Sequence, residues 1–206
     1  MYWIISDTHF GHTNIIKYCD RPFKTVEEMD TTIINNINEK VKKTDILWHL
    51  GDFLYGRSEL DLIARYKKYL SLINCKNIIL IVGNHDKYLR KESVLREMFI
   101  MVLPYFVGYI NGLPLTMNHR PLDDEKHNKQ ALITFRYKKM DCINLFGHTH
   151  NNSHLTPYNM SVENTNYKPV SLKEIQYRPF NHFKHPKKVP ASTFIERFTI
   201  RNKVYT

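Results

Sequence analysis

The sequence predicts an α/β layered fold in which part of the sheet is parallel, and three observations carry that prediction. Three short apolar runs, at residues 2–5, 46–50 and 77–82, each stop at a polar or glycine-containing turn. Two stretches between them repeat apolar residues at helical spacing. Beyond residue 100 the apolar runs are short and closely spaced, as strands are. Strand, helix, strand, helix, strand is the order of parallel strands joined by helical crossovers.

Tyr2-Trp-Ile-Ile5 reads as a buried strand that ends at Ser6-Asp7. Thr25 and Glu28 have capping-box spacing. The helix they open carries Met29, Ile33, Ile34, Ile37 and Val41 on one stripe. Ile46–Leu50 is the second strand, closed by Gly51-Asp52. Ser58 with Asp61 can cap a helix bearing Leu62, Ile63, Tyr66, Leu70 and Ile73. Asn77–Val82 is the third strand, closed by Gly83-Asn84. A weaker helix is expected over Glu92–Met98, then strands at Met101–Leu103, Phe106–Ile110, Leu115–Asn118 and Cys142–Phe146. Ser171 with Glu174 marks one last short helix, and Phe194–Ile200 a closing strand.

The 206 residues fit one domain, with 42% hydrophobic and 24% charged residues in an ordinary globular balance. Three widely spaced cysteines form neither a disulfide framework nor a CxxC pair, and are expected as idle or buried thiols. The first apolar run lacks the basic and hydrophobic regions of a signal peptide, and no segment is long enough to span a bilayer. A soluble, cytoplasmic protein with no membrane partner is expected. Net charge is +10. Residues 178–206 hold seven Lys/Arg against Glu196, so they contribute +6 of it. The expected organisation is a domain at 1–177 with a basic extension at 178–206 packed on it.

Polar residues collect where the apolar runs end, which is where sites assemble in open α/β sheets. Asp7 and His9 follow the first run, Asp52 the second, and Asn84, His85 and Asp86 the third. His119 follows Leu115–Asn118, and His148 and His150 follow Cys142–Phe146. Asp7 and His9 are two apart and can face one way from an extended backbone, as can His148 and His150. Asp52 can bridge two metals with its two oxygens, and Asn84 adds a neutral oxygen. Nitrogen and oxygen donors without sulfur suit Mn, Fe, Zn, Co or Ni. A lone histidine at a strand end is usually structural. Five segments delivering such residues at five strand ends are not.

Asp7-Thr-His9, Gly51-Asp52, Gly83-Asn84-His85-Asp86, His119 and Gly147-His148-Thr-His150 resemble, in order, the five blocks of the calcineurin-like metallophosphoesterase superfamily. Residues 6–12 (Ser-Asp-Thr-His-Phe-Gly-His) look like its small stand-alone bacterial and phage subgroup, as do residues 159–163 and 168–172. The resemblance implies a two-sheet sandwich flanked by helices, a four-layer αββα fold. It implies two divalent metal ions, manganese first. One is held by Asp7, His9, Asp52 and His150, the other by Asp52, Asn84, His119 and His148.

The implied reaction is hydrolysis of a phosphomonoester or phosphodiester by a hydroxide shared between metals about 3.5–4 Å apart. His85, not needed as a ligand, is left to protonate the leaving alkoxide, with Asp86 holding its ring. His12, Arg57 and Arg120 are candidate substrate contacts, although a loop hydrogen bond or a solvent-facing side chain fits them as well. His127, His154, His182 and His185 are assigned to the surface. Two other readings stand beside this one. In the first, a nucleic-acid-processing enzyme holds its polymer on the basic 178–206 segment, whose aromatics would otherwise pack it onto the core. In the second, a metal-bound interaction module lacks turnover, and the His85-Asp86 pair argues against it. Oligomeric state and substrate are not specified by the sequence.

Overall fold

Trp3 and Ile5 point to one face of the first strand and Ile4 to the other, and this alternation organises the molecule. The computed structural model describes residues 1–56, 59–90, 93–121, 142–151 and 158–176. Strands β1 (Tyr2–Ile5), β2 (Ile46–His49), β3 (Ile78–Ile81) and β4 (Met101–Leu103) are parallel, in the order β4-β3-β2-β1. A two-residue strand, β8 (Val170–Ser171), is antiparallel to β1 at its other side. A second sheet holds β5 (Phe106–Ile110), β6 (Leu113–Met117) and β7 (Ile143–Leu145), with β5 and β6 antiparallel and β6 and β7 parallel.

Trp3, Ile5, Leu47, Ile78 and Leu80 form one core with the helices. There, α2 (Val26–Lys40) buries Met29, Ile33, Ile34 and Ile37, and α3 (Glu59–Leu72) buries Leu62, Tyr66, Tyr69 and Leu70. Each such side chain contributes about 1.5–3 kcal/mol by leaving water. Ile4, Trp48, Ile79 and Ile81 face the other way and form a second core with Ile110, Leu115, Met117, Ile143 and Leu145. The first sheet is therefore covered by helices on one face and by the second sheet on the other. The expected two-sheet α/β fold is observed, and the described residues account for its helical layer and both sheets.

The caps behave as the sequence predicts, with one change. Thr25 Oγ accepts the Glu28 amide at 3.2 Å, but Glu28 reaches back to the amide of Lys24 rather than of Thr25. Ser171 caps the last helix, α5 (Leu172–Gln176), by accepting the Glu174 amide at 3.1 Å. Ser58, Glu92 and the expected strand at 194–200 lie outside the described residues. The helix expected from Glu92 is seen as α4 (Ser93–Arg96), and β6 starts two residues earlier than expected. Pro114 is tolerated there because β7 pairs β6 only from Leu115 onward. Helix α1 (Thr13–Tyr18) was not anticipated, because its adjacent Ile15 and Ile16 give no helical period. Cys19, Cys75 and Cys142 are buried and are not joined in disulfides.

Candidate metal centre

Beyond their last paired residues, the first two strands keep zipping together. Leu50 N–H donates to Ile5 O, Asp7 N–H to Gly51 O, His9 N–H to Asp52 O and Phe10 N–H to Phe53 O. That ladder carries Asp7, His9 and Asp52 side by side out of the sheet. The backbone there is not extended, as the two-residue spacing had suggested. Asp7, His9, Asp52, His148 and His150 all lie in the left-handed region, with φ of 57°, 49°, 54°, 67° and 48°. Non-glycine residues avoid that region by about 1–3 kcal/mol each, and such costs concentrate at functional sites. Close approach is the second requirement. A Cβ on Gly83 would strike Asp52, and one on Gly147 would strike Asp7 and Ser6.

All seven candidate ligands converge. Donor atoms of Asp7, His9 and His150 lie within 4.8 Å of one another, as do those of Asp52, His119 and His148. His9, Asp52 and His85 form a third such group, so Asp52 belongs to two clusters. Its Oδ2 is 3.5 Å from His9 Nε2 and 3.4 Å from His119 Nε2. Asn84 Oδ1 lies 2.9 Å from His119 Nε2. His119 Nδ1–H donates to Leu50 O at 2.9 Å, which turns Nε2 toward the carboxylates. His9 is 1% exposed, yet neither ring nitrogen has a hydrogen-bond partner. A buried imidazole with both nitrogens unpaired is costly in a plain core and fitting for a metal ligand.

The charges fit the same reading. Burial raises the Asp7 carboxyl, against the pull of His119 and His150. Asp52 is driven below the usual carboxylate range, because the imidazoles of His119 and His9 outweigh its burial. Burial also works against protonation of His119, but the Asp52 charge and hydrogen bond push it up to about 9. His148 goes the other way, to about 4, through burial and the positive charges of His119 and Arg120. The buried carboxylates thus draw positive charge into the space between them, which a divalent cation satisfies.

His85 is half-buried, its ring centroid 5.0 Å from that of His9, and its backbone N–H donates to Asp52 Oδ1 at 2.8 Å. Asp86 corrects the expectation placed on it. Its carboxylate does not hold the His85 ring. Oδ2 accepts the amides of Asp52 and Gly83 at 2.6 and 2.9 Å, and Oδ1 accepts the Phe53 amide and the Tyr66 hydroxyl at 3.2 and 3.0 Å. The turn after Gly83 aims it inward, where it knits the loops behind the site.

Among the substrate-contact candidates, His12 is 9% exposed and stacks on Tyr55, centroids 4.2 Å apart. Burial, with His85 beside it, lowers it to about 4, so it is neutral at pH 7. Arg120 lies close enough to His148 to lower that ring. Arg57, the basic 178–206 segment and the four histidines assigned to the surface lie outside the described residues.

Sequence reasoning missed Arg21 and Glu163. Glu163 Oε1 accepts His150 Nδ1–H at 2.9 Å and pairs with Arg21 at 2.7 Å. Burial works against a charged His150, but its hydrogen bonds to Cys19 and Glu163 push it up to about 11. Arg21, 4% exposed, also donates to the carbonyls of Asp7 and Thr8 at 2.8 and 3.1 Å. The pair thereby ties the Asp7–His9 turn to His150. Glu163 lay within the family-like segment 159–163, which was its only signal.

Comparison with known proteins agrees with this site. The chain is 37% identical over 180 residues to the uncharacterized protein MJ1445 of Methanocaldococcus jannaschii, spanning 82% of this chain and 86% of that one. It is 28% identical over 165 residues to the Gene 66 protein of Mycobacterium phage D29, spanning 72% and 77%. Among solved structures it is similar to the protein of unknown function AQ665 from Aquifex aeolicus, with a TM-score of 0.64, 30% identity, and 85% and 97% of the two chains covered. Residues 2–119 match the family described as calcineurin-like phosphoesterase. With that match running through three of the strand ends that build the cluster and into a fourth at His119, the chain belongs to the calcineurin-like phosphoesterase family.

Proposed function

We propose that this protein hydrolyses a phosphomonoester or phosphodiester at a dinuclear metal centre bridged by Asp52. Membership of the family makes it a hydrolase of phosphoester bonds that works with divalent metal ions. Among the described residues no helix is long and apolar enough to cross a membrane. The observation that carries the dinuclear reading is the position of Asp52 Oδ2, 3.5 Å from His9 on one side and 3.4 Å from His119 on the other. Asp7, His9, Asp52 and His150 would hold one ion, and Asp52, Asn84, His119 and His148 the other. When bound, such a pair supplies Lewis acidity, polarising phosphoryl oxygens and acidifying water. Manganese suits the nitrogen and oxygen donor set, as do Fe, Zn, Co and Ni.

The chain's own groups do the rest. The left-handed turns orient five of these seven residues, which favours a site positioned before substrate arrives. His85, half-buried beside His9, donates a proton to the leaving oxygen. Asp86 and Tyr66 fix the Asp52 loop from behind. No serine or cysteine nucleophile is used. The test is Asp52→Asn. It should abolish turnover of bis-p-nitrophenyl phosphate with added Mn²⁺ and weaken binding of both ions. Full metal occupancy with normal turnover overturns the bridging assignment.

A further inference from the structure

We infer that Cys19, His150 and Glu163 form a third cation site, one for a thiolate-preferring ion of the zinc class, which competes with the catalytic centre for His150. This rests on the dinuclear reading in one respect, that His150 is a ligand of that centre. The three residues come from separate elements. Cys19 closes α1, its amide donating to Ile15 O at 3.0 Å. His150 follows β7, and Glu163 lies in the 3₁₀ turn Val162–Thr165. One donor atom of each, a sulfur, a nitrogen and an oxygen, lies within 4.8 Å of the other two. A four-coordinate zinc ion with bonds of about 2.0–2.3 Å holds its ligands about 3.3–3.8 Å apart, so side-chain shifts of about 1 Å close the site.

Glu163 supplies the second observation. Its side chain is 5% exposed. Oε1 accepts His150 Nδ1–H and the Arg21 guanidinium, but Oε2 is buried with no hydrogen-bond partner among the described residues. A buried carboxylate oxygen left unpaired is costly, and a cation relieves that cost while Arg21 keeps Oε1. The thiol chooses the ion. Manganese favours oxygen and nitrogen donors, whereas a thiolate draws ions of the zinc class. Binding exchanges the Cys19 proton, released to solvent, for the ion. The other two cysteines offer no such site. Neither Cys75 nor Cys142 belongs to a group of candidate ligands among the described residues, and Cys75 Sγ donates to the Asp45 carbonyl at 3.2 Å.

His150 faces both sites. Its Nδ1 is 2.9 Å from Glu163 Oε1, and its Nε2 is 4.0 Å from Asp7 Oδ1. Its carbonyl accepts the side-chain amides of Asn159 and Asn164 at 2.6 and 2.5 Å, which hold the backbone while the ring serves either side. A neutral imidazole has one nitrogen lone pair to give. An ion bound through Nδ1 leaves the proton on Nε2 and withdraws His150 from the catalytic centre.

Cd²⁺ titrated into the full chain, metal-free and loaded with Mn²⁺, tests this. Its thiolate charge-transfer absorption reports sulfur ligation, and the catalytic donors contain no sulfur. The band should appear in wild type, persist when Cys75 and Cys142 are both replaced by serine, and disappear in Cys19→Ser. Glu163→Gln should weaken Cd²⁺ binding at this site by at least about tenfold. In the Mn²⁺-loaded protein, Cys19→Ser should require at least about tenfold more Cd²⁺ to release Mn²⁺. A band missing from wild type, lost with Cys75 and Cys142, or kept in Cys19→Ser overturns the site, as does unchanged affinity in Glu163→Gln. Release of Mn²⁺ at the same Cd²⁺ concentration in Cys19→Ser overturns the competition. A chain that gives the band yet takes up no Mn²⁺ sinks the dinuclear reading and leaves the third site standing.

Discussion

Asp86 holds Asp52 by its backbone, its carboxylate accepting the Asp52 amide at 2.6 Å. The same oxygen accepts the Gly83 amide, so one buried carboxylate fixes the turns after β2 and β3 together. Asp86→Ala should therefore destabilise the fold by about 1–3 kcal/mol for each amide left unpaired. Urea unfolding of the metal-free protein measures this. The dependence of rate on leaving group should stay as in wild type, because the carboxylate does not touch the His85 ring. An unchanged unfolding midpoint would show that the hydrogen bonds carry no weight.

His85 should behave differently. In the proposed mechanism its ring, beside that of His9, serves as the proton donor rather than as a metal ligand. His85→Ala should slow hydrolysis of esters with alkoxide leaving groups by about 10²–10⁴-fold. Nitrophenyl esters, whose leaving groups need little protonation, should lose far less. Steady-state rates on the two ester types decide the matter, and equal losses on both would remove His85 from the role of acid.

On the proposed ligand assignment, Glu163 and Arg21 support one half of the centre, through His150 and the Asp7–His9 turn. Glu163→Ala removes the carboxylate that accepts His150 Nδ1–H and leaves Arg21 without its carboxylate partner. Loss of such a ligand-orienting group typically costs about 10–100-fold in metal affinity. Manganese titration should show one weakened site and one unchanged, with Glu163→Gln between wild type and Ala. Equal weakening of both sites would mean that the pair supports the whole fold rather than His150.

Below the centre, His49 links stability to pH. It accepts the Gly51 amide on Nδ1 and donates from Nε2 to Thr8, which donates to Phe53 O. Complete burial lowers its pKa to about 3, so the folded protein keeps it neutral. The unfolded chain takes up a proton near pH 6.5, where the folded one does not. Stability is therefore full above that pH and falls as pH drops toward 3. The loss between pH 7 and pH 5 is about 2 kcal/mol. Urea unfolding at a series of pH values should show this slope, and His49→Gln should flatten it. A slope identical in the variant would assign the pH dependence elsewhere.

Much of this was legible in the sequence, for identifiable reasons. Strands buried on both faces appear as short apolar runs, so β1, β2 and β3 stood out. The helices α2 and α3 showed because one face of each enters the core at regular spacing. The candidate ligands were visible because they sit at strand ends, where local order and site coincide. Long-range partnerships were hidden. Arg21 meets Glu163 across 142 positions, and neither residue carries a periodic signal. Asp86 misled because adjacency to His85 suggested contact, whereas the turn sends its carboxylate to amides 33 and 34 positions away. The left-handed φ of five candidate ligands was hidden too, since Asp and His, though enriched in that region, adopt it in only a small minority of their occurrences.

The most direct test is activity against metal content. Protein freed of metal by chelation is titrated with Mn²⁺ while hydrolysis of bis-p-nitrophenyl phosphate is followed. A centre bridged by Asp52 should be inactive without metal and reach its plateau at two ions per chain. Full activity in the metal-free protein, or a plateau at one ion, would contradict it.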